Sequence, residues 1–128
     1  MISKFLTALL IVAAAFGTAL AQEQSQNPPS KGVAPKAENG IGRADVRVVD
    51  ENGNPIRNVY VKLESTRTDG YFCESWNDTD EFGVAVLPAI HMGSLKLHVK
   101  AKGYNKLKMD VPASSLDQPV RVVLQKKS

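Results

Sequence analysis

The residues of this 128-residue chain with chemistry to offer are few: two histidines, one cysteine, one tryptophan and the carboxylate-rich run Asp78-Thr79-Asp80-Glu81. His91 and His98 stand seven positions apart, and neither has a glutamate at the spacing of a His-x-x-Glu or His-Glu-x-x-His zinc motif. Cys73 alone cannot form an intramolecular disulfide, a four-thiolate zinc site or a redox pair. It reads either as a small buried hydrophobe or as a thiol that bridges two chains in an oxidising compartment. Asp78, Asp80 and Glu81 form a weak Ca²⁺ candidate, because hard oxygen ligands at alternating loop positions suit that ion. The preferred reading is a solvated turn in which Asp80 bonds backbone N–H groups. No nucleophile, base or metal constellation assembles from this inventory, so neither catalysis nor a cofactor is expected.

Binding chemistry has more to work with. Tyr71, Phe72 and Trp76 lie close together and are a candidate platform for sugar rings or a peptide, although a lone tryptophan in a small domain is ordinarily core. Lys96, His98 and Lys100 share one parity of an alternating run, and Lys106 and Lys108 share that of the next. Paired antiparallel, the two runs place a basic stripe on one sheet face, suited to an anionic polysaccharide, lipid headgroups or an acidic protein. The plainer alternative is a solvated face whose lysines discourage edge-to-edge pairing. Nucleic acid is not an expected partner, since no stacking aromatics interleave those lysines. Asn77-Asp78-Thr79 is an N-glycosylation sequon, meaningful only in a eukaryotic secretory pathway.

These side chains need a scaffold, and the scaffold reads as strands. From Arg43 onward apolar residues recur with period two: Ala44, Val46 and Val48; Val59, Val61 and Leu63; Val84 and Val86; then Leu95, Leu97 and Val99. Leu107, Met109 and Val111 continue the pattern, and Val120, Val122 and Leu124 end it. Turn chemistry separates the runs. Glu51-Asn52-Gly53-Asn54-Pro55 supplies positive φ and a proline that blocks pairing, Asp80-Glu81-Phe82-Gly83 reads as a type I turn, and Lys102-Gly103 as a hairpin turn. The fold class expected is all-β: a small antiparallel β-sandwich of about seven strands.

The chain ahead of the strands has another character. A basic start at Lys4, an apolar run from Phe5 to Phe16 and the triplet Ala19-Leu20-Ala21 match a secretory signal peptide cleaved after Ala21. The apolar run is shorter than the roughly 20 residues of a spanning helix, so no membrane anchor is expected. Residues 22–42 are polar and proline-containing and read as a flexible leader, with residues 43–128 as the folded domain. The formal charge of +3 falls to +2 once Lys4 is removed. Residues 43–92 then carry 5 basic and 9 acidic side chains, against 8 and 2 in residues 93–128. Secreted or periplasmic localisation is expected.

The succession Val46-Arg47-Val48-Val49-Asp50-Glu51-Asn52-Gly53-Asn54-Pro55-Ile56, with Thr79-Asp80-Glu81-Phe82-Gly83-Val84, Leu87-Pro88 and Lys100-Ala101-Lys102-Gly103-Tyr104, resembles carboxypeptidase regulatory-like domains. That family consists of small transthyretin-like, or prealbumin-like, sandwiches, and the resemblance covers roughly Arg43 to Lys127. The sequence departs from the family between Pro88 and Leu95, where Ile90-His91-Met92 intervene before the glycine. The resemblance implies a non-catalytic accessory module that binds a protein or cell-surface component, or supports an envelope or extracellular assembly. A carbohydrate-binding module built on Tyr71, Phe72 and Trp76 is the alternative. Enzymes of related folds do not fit these residues. Hydroxyisourate hydrolases end in Tyr-Arg-Gly-Ser, and intradiol dioxygenases hold iron with two tyrosines and a His-x-His pair, whereas this chain ends Gln125-Lys126-Lys127-Ser128 and has no His-x-His.

Overall fold

A computed structural model describes residues 28–128. The expected signal peptide, residues 1–21, and the first part of the leader, residues 22–27, lie outside the described residues. Nine strand segments follow one another: β1 Ile41–Gly42, β2 Asp45–Val49, β3 Tyr60–Thr66, β4 Phe72–Asp78, β5 Val84–Val86, β6 Ile90–His91, β7 Ser94–Lys100, β8 Leu107–Val111 and β9 Val120–Val123. A 3₁₀ turn, Ala113–Ser115, precedes β9. Seven of the nine are three residues or longer, and they form a three-stranded sheet in the order β5-β2-β9 and a four-stranded sheet in the order β4-β3-β7-β8. The two short segments, β1 and β6, pair with each other.

The period-two pattern becomes one core. Val46 and Val48 of β2, Ala85 of β5 and Val122 of β9 face Val61 and Leu63 of β3 and Leu95, Leu97 and Val99 of β7 in a single buried cluster. No helix among the described residues is long and apolar enough to cross a membrane. Two details differ from the expected pattern. On β5 it is Ala85 that is buried, because it registers with Val46, and Val84 and Val86 therefore face outward. β9 runs parallel to β2 rather than antiparallel: the chain leaves β8 in one sheet, turns through Ala113–Ser115 and enters the other sheet beside β2 in the same direction.

β4 was not legible as an alternating run. Its inward positions are Cys73, Ser75 and Asn77, small or polar residues at the edge of the sheet, so the apolar half of the alternation is missing. In the departure between Pro88 and Leu95, Ile90 and His91 form β6 against β1, and Gly93 follows where the chain passes close to β3. A Cβ there would lie 2.1 Å from the Thr66 carbonyl oxygen, so only glycine lets the chain enter β7 against the end of β3. The Asp80 to Gly83 turn closes through the Gly83 N–H on the Asp80 carbonyl at 3.0 Å, with Gly83 at φ +74.

Pro28 to Gly42, the described part of the expected leader over residues 22–42, make defined polar bonds with the domain. Val33 and Arg43 exchange backbone hydrogen bonds at 2.8 and 2.9 Å, the Ala34 N–H donates to Asp117 at 2.9 Å, and Arg43 Nε donates to the Lys31 carbonyl at 2.7 Å. The segment is a strap laid against the outer face of the smaller sheet. It covers Asp45 and Arg47, which are only 1% and 8% exposed. Arg47 Nη2 bonds Asp45 Oδ2 at 3.2 Å and donates to the Pro28 carbonyl at 2.7 Å, and the Lys31 N–H donates to Asp45 at 2.9 Å. A stretch poor in apolar residues is thus ordered by polar bonds to a buried ion pair, a route that composition alone does not reveal.

The loop after β2 is organised by Asp50, whose Oδ1 accepts the Asn52 and Asn54 N–H groups at 2.9 Å each. The Asn54 backbone N–H foremost, with the Asn52 N–H, the Asn54 side chain and Lys126, outweighs desolvation and holds its carboxyl below the ordinary value of 3.8. A depressed folded-state pKa contributes stability above the ordinary carboxylate range, and that contribution is lost as pH falls through the lowered value. A carboxyl-carbon NMR titration is expected to give Asp50 a midpoint below 3.8, and a midpoint at or above 3.8 would contradict the turn geometry.

Candidate functional site

Outward side chains of the four-stranded sheet fall into rows across the strands. Trp76, Lys62, His98 and Lys108 form one row, Glu74, Glu64, Lys96 and Asp110 the next, and Asp78, Tyr60 and Lys100 lie on the other side of the first. The alternation that buries Val61, Leu63, Leu97 and Val99 is what turns these polar neighbours outward.

The expected basic stripe is present on β7 and β8 but is not continuous. Lys96 lies 4.0 Å from Asp110, and Lys62 lies 3.4 Å from Glu64 and 3.9 Å from Glu74. His98 Nε2 meets the Glu64 carboxylate in a close but poorly aligned contact, a proximity of polar groups rather than a directed hydrogen bond. Among the described residues Lys100, Lys106 and Lys108 have no ion-pair partner, and Lys106 sits just ahead of β8. The middle of the face is therefore a mixed ladder of exposed and half-exposed pairs, each worth about 0–1 kcal/mol. Positive charge concentrates at one end.

The aromatic candidates are all at the surface. Trp76 is 56% exposed, Phe72 51% and Tyr71 69%, so the tryptophan is not core. Trp76 and Phe72 are four residues apart on β4, roughly 13 Å at strand spacing, which divides the patch. At one end Tyr60, 37% exposed, joins Trp76 with ring centroids 6.0 Å apart and planes at 33°. At the other, Tyr71 lies under the Arg67 guanidinium at 5.8 Å, with Arg67 held by Asp69 at 3.1 Å. Tyr60 is the member that sequence reasoning missed. Its signal was available, since it shares the outward parity of Lys62 and Glu64.

The remaining candidates are occupied in other ways. Asp80 Oδ1 accepts the Phe82 and Val84 N–H groups at 2.9 and 3.0 Å, while Asp78 stands on the outer face of β4 and Glu81 is exposed in the turn. Thr79 between them is buried: its hydroxyl donates to the Ile56 carbonyl at 2.7 Å and accepts the Val59 N–H at 2.9 Å. Among the described residues no three His, Cys, Asp or Glu side chains converge on a common point. Cys73 is partly exposed, and its thiol donates to the His91 carbonyl at 3.2 Å, which also accepts the Ser65 hydroxyl at 2.9 Å. His91 Nδ1 contacts the Asn39 carbonyl at 3.0 Å.

A scan against family models and a search of curated proteins return no match. Among solved structures, the crystal structure of 3-chlorocatechol 1,2-dioxygenase from Rhodococcus opacus 1CP matches with a TM-score of 0.53 and 12% identity. The match covers 78% of this chain and 65% of the dioxygenase chain, so this chain spans less than two thirds of that protein. At that identity the likeness lies in the fold, an arrangement of strands common to the two chains.

Proposed function

We propose that this protein is an exported, non-catalytic binding module, similar to carboxypeptidase regulatory-like domains, that docks a protein partner of an envelope or extracellular assembly. The observation that supports this reading is the exposed pair Tyr60 and Trp76, ring centroids 6.0 Å apart at one end of the β4 side of the sheet, with Phe72 and Tyr71 exposed at the other end. An isolated domain gains nothing by holding such surface in water. Tryptophan and tyrosine are the side chains that anchor protein interfaces, and the paired charges around them suit a polar rim. The sequence supports export through the apolar run and the Ala19-Leu20-Ala21 triplet. A second reading, carbohydrate binding, draws on the tilted Tyr60 and Trp76 pair, whose rings offer faces to a sugar.

A photo-crosslinking residue at position 76 of the full chain, in the cell that makes it, is expected to yield a discrete protein adduct, whereas position 102 in the β7–β8 loop yields none. With the adducted protein purified, Trp76→Ala should weaken its binding roughly thirtyfold, about 2 kcal/mol, while lowering unfolding stability by no more than about 1.5 kcal/mol, the worth of its pairing with Tyr60. Quenching of Trp76 fluorescence by a glycan, without any protein adduct, would move the assignment to the carbohydrate reading.

A further inference from the structure

The smaller sheet carries its own feature, away from the aromatic edge. A groove of about 810 Å³ crosses its outer face, floored by Val49 and Val84 and walled by Pro28, Pro29, Pro55 and Phe82. That volume lies within the range of about 300–1,000 Å³ typical of small-molecule sites. The outward turn of Val84 and Val86, forced by the burial of Ala85, is what makes the floor apolar.

Three cationic residues line the groove: Lys31, Arg47 and Arg121. It also holds two carboxylates, of which Asp45 is neutralised by Arg47, while Asp80 keeps its charge at the Phe82 turn and leaves Lys31 and Arg121 in excess by one. Asp45 holds Arg47 and the Lys31 N–H, and Asp80 holds two backbone amides of its own turn. Arg47 and Arg121 are direct neighbours across the parallel pairing of β2 and β9, and among the described residues Arg121 has no carboxylate partner. Arg47 is already balanced by Asp45, so Arg121 is the cation of this pair left without an anion. The next row along the same face is apolar, with Val49 beside Val123, and Phe82 is 62% exposed at the rim. A solvent-exposed guanidinium without a carboxylate partner, next to an apolar floor, suits a ligand with the matching two-part character.

We propose that this groove binds a small amphiphilic carboxylate: an aliphatic acid whose head is taken by the planar fork of Arg121 and whose chain lies over Val49, Val84 and Phe82. Arg47, paired with Asp45 and held by the Pro28 carbonyl, fixes the strap that walls the groove beside Arg121. Arginine suits this role because its five donors match a carboxylate in a two-bond geometry.

Dodecanoate below its micellar concentration, titrated into the full chain and followed by amide NMR, is the direct test. Saturable shifts are expected at Val49, Val84 and Arg121 rather than around Trp76. Arg121→Gln, a change at an exposed position, should weaken binding at least tenfold, and Phe82→Ser should weaken it as well. Dodecanol should bind at least tenfold more weakly than dodecanoate, and dodecyltrimethylammonium should not bind there. Equal binding of the alcohol or the cation, unchanged binding in Arg121→Gln, shifts confined to the Trp76 face, or no saturable shift would each overturn the assignment.

Discussion

Arg47→Ala is expected to lower unfolding stability by about 3–5 kcal/mol, the cost of breaking a buried ion pair by removing one partner. The reason is what it leaves behind. Asp45 is 1% exposed and would retain only the Lys31 N–H, while the Pro28 carbonyl would lose its guanidinium donor. Two things should therefore fail together: the midpoint of urea unfolding should drop, and the Lys31 amide should lose hydrogen-exchange protection as the strap detaches. Replacing both partners, Asp45→Leu with Arg47→Met, should recover part of the loss, because no charge is then left buried unpaired, while the Lys31 N–H and the Pro28 carbonyl still lack their partners. A loss below about 1 kcal/mol in Arg47→Ala would mean that the pair is solvated and that the strap is held by something else.

Leu97→Ala should cost about 2–5 kcal/mol, with no functional group removed. Leu97 registers directly with Leu63 across β7 and β3, and both are 1% exposed at the centre of the sandwich. Sheets pinned on both sides cannot collapse far into the void, so the cavity contribution adds to the lost transfer energy. For a domain of about 100 residues each kcal/mol lowers Tm by roughly 4–8 °C, so thermal unfolding should shift by at least about 8 °C. Leu107→Ala on the edge strand β8, where the side chain is half-buried, is the internal control and should cost clearly less. Equal losses at the two sites would contradict a core centred on the β3 and β7 pair.

Much of this architecture was legible before any coordinates. Every alternating run became a strand or part of one, and the Asp80 to Gly83 turn falls where its residues placed it. β4 was the missing strand, since Cys73, Ser75 and Asn77 offer no apolar parity and its outward residues mix Phe72 and Trp76 with Glu74 and Asp78. The candidate sites fared unevenly for a related reason. Tyr71, Phe72 and Trp76 were singled out by type, but their grouping depends on which strand lies beside β4, and it is β3 that brings Tyr60 to Trp76 and leaves Phe72 apart. Lys96, His98, Lys100, Lys106 and Lys108 make a basic stripe when β7 and β8 are considered alone, and the carboxylates that interrupt it arrive from β3 and from β8 itself.

What the sequence determined by itself is the local part: a period of two, turn residues at the right intervals, and hence an all-β domain with one apolar face to each run. Those are properties of consecutive residues, set by the pleat and by backbone sterics. Only the tertiary structure decided whether the opposite face stays in water. Asp45 and Arg47 carry the outward parity of an ordinary solvated strand, yet they are buried because Pro28 and Lys31, 14 to 19 residues away, fold back over them. The same holds for Val84 and Val86, whose side of the sheet was set by the register of β5 with β2. Alternation separates two faces, but what lies against each face comes from distant chain, and that contact is what makes a groove, a buried ion pair or an exposed aromatic edge.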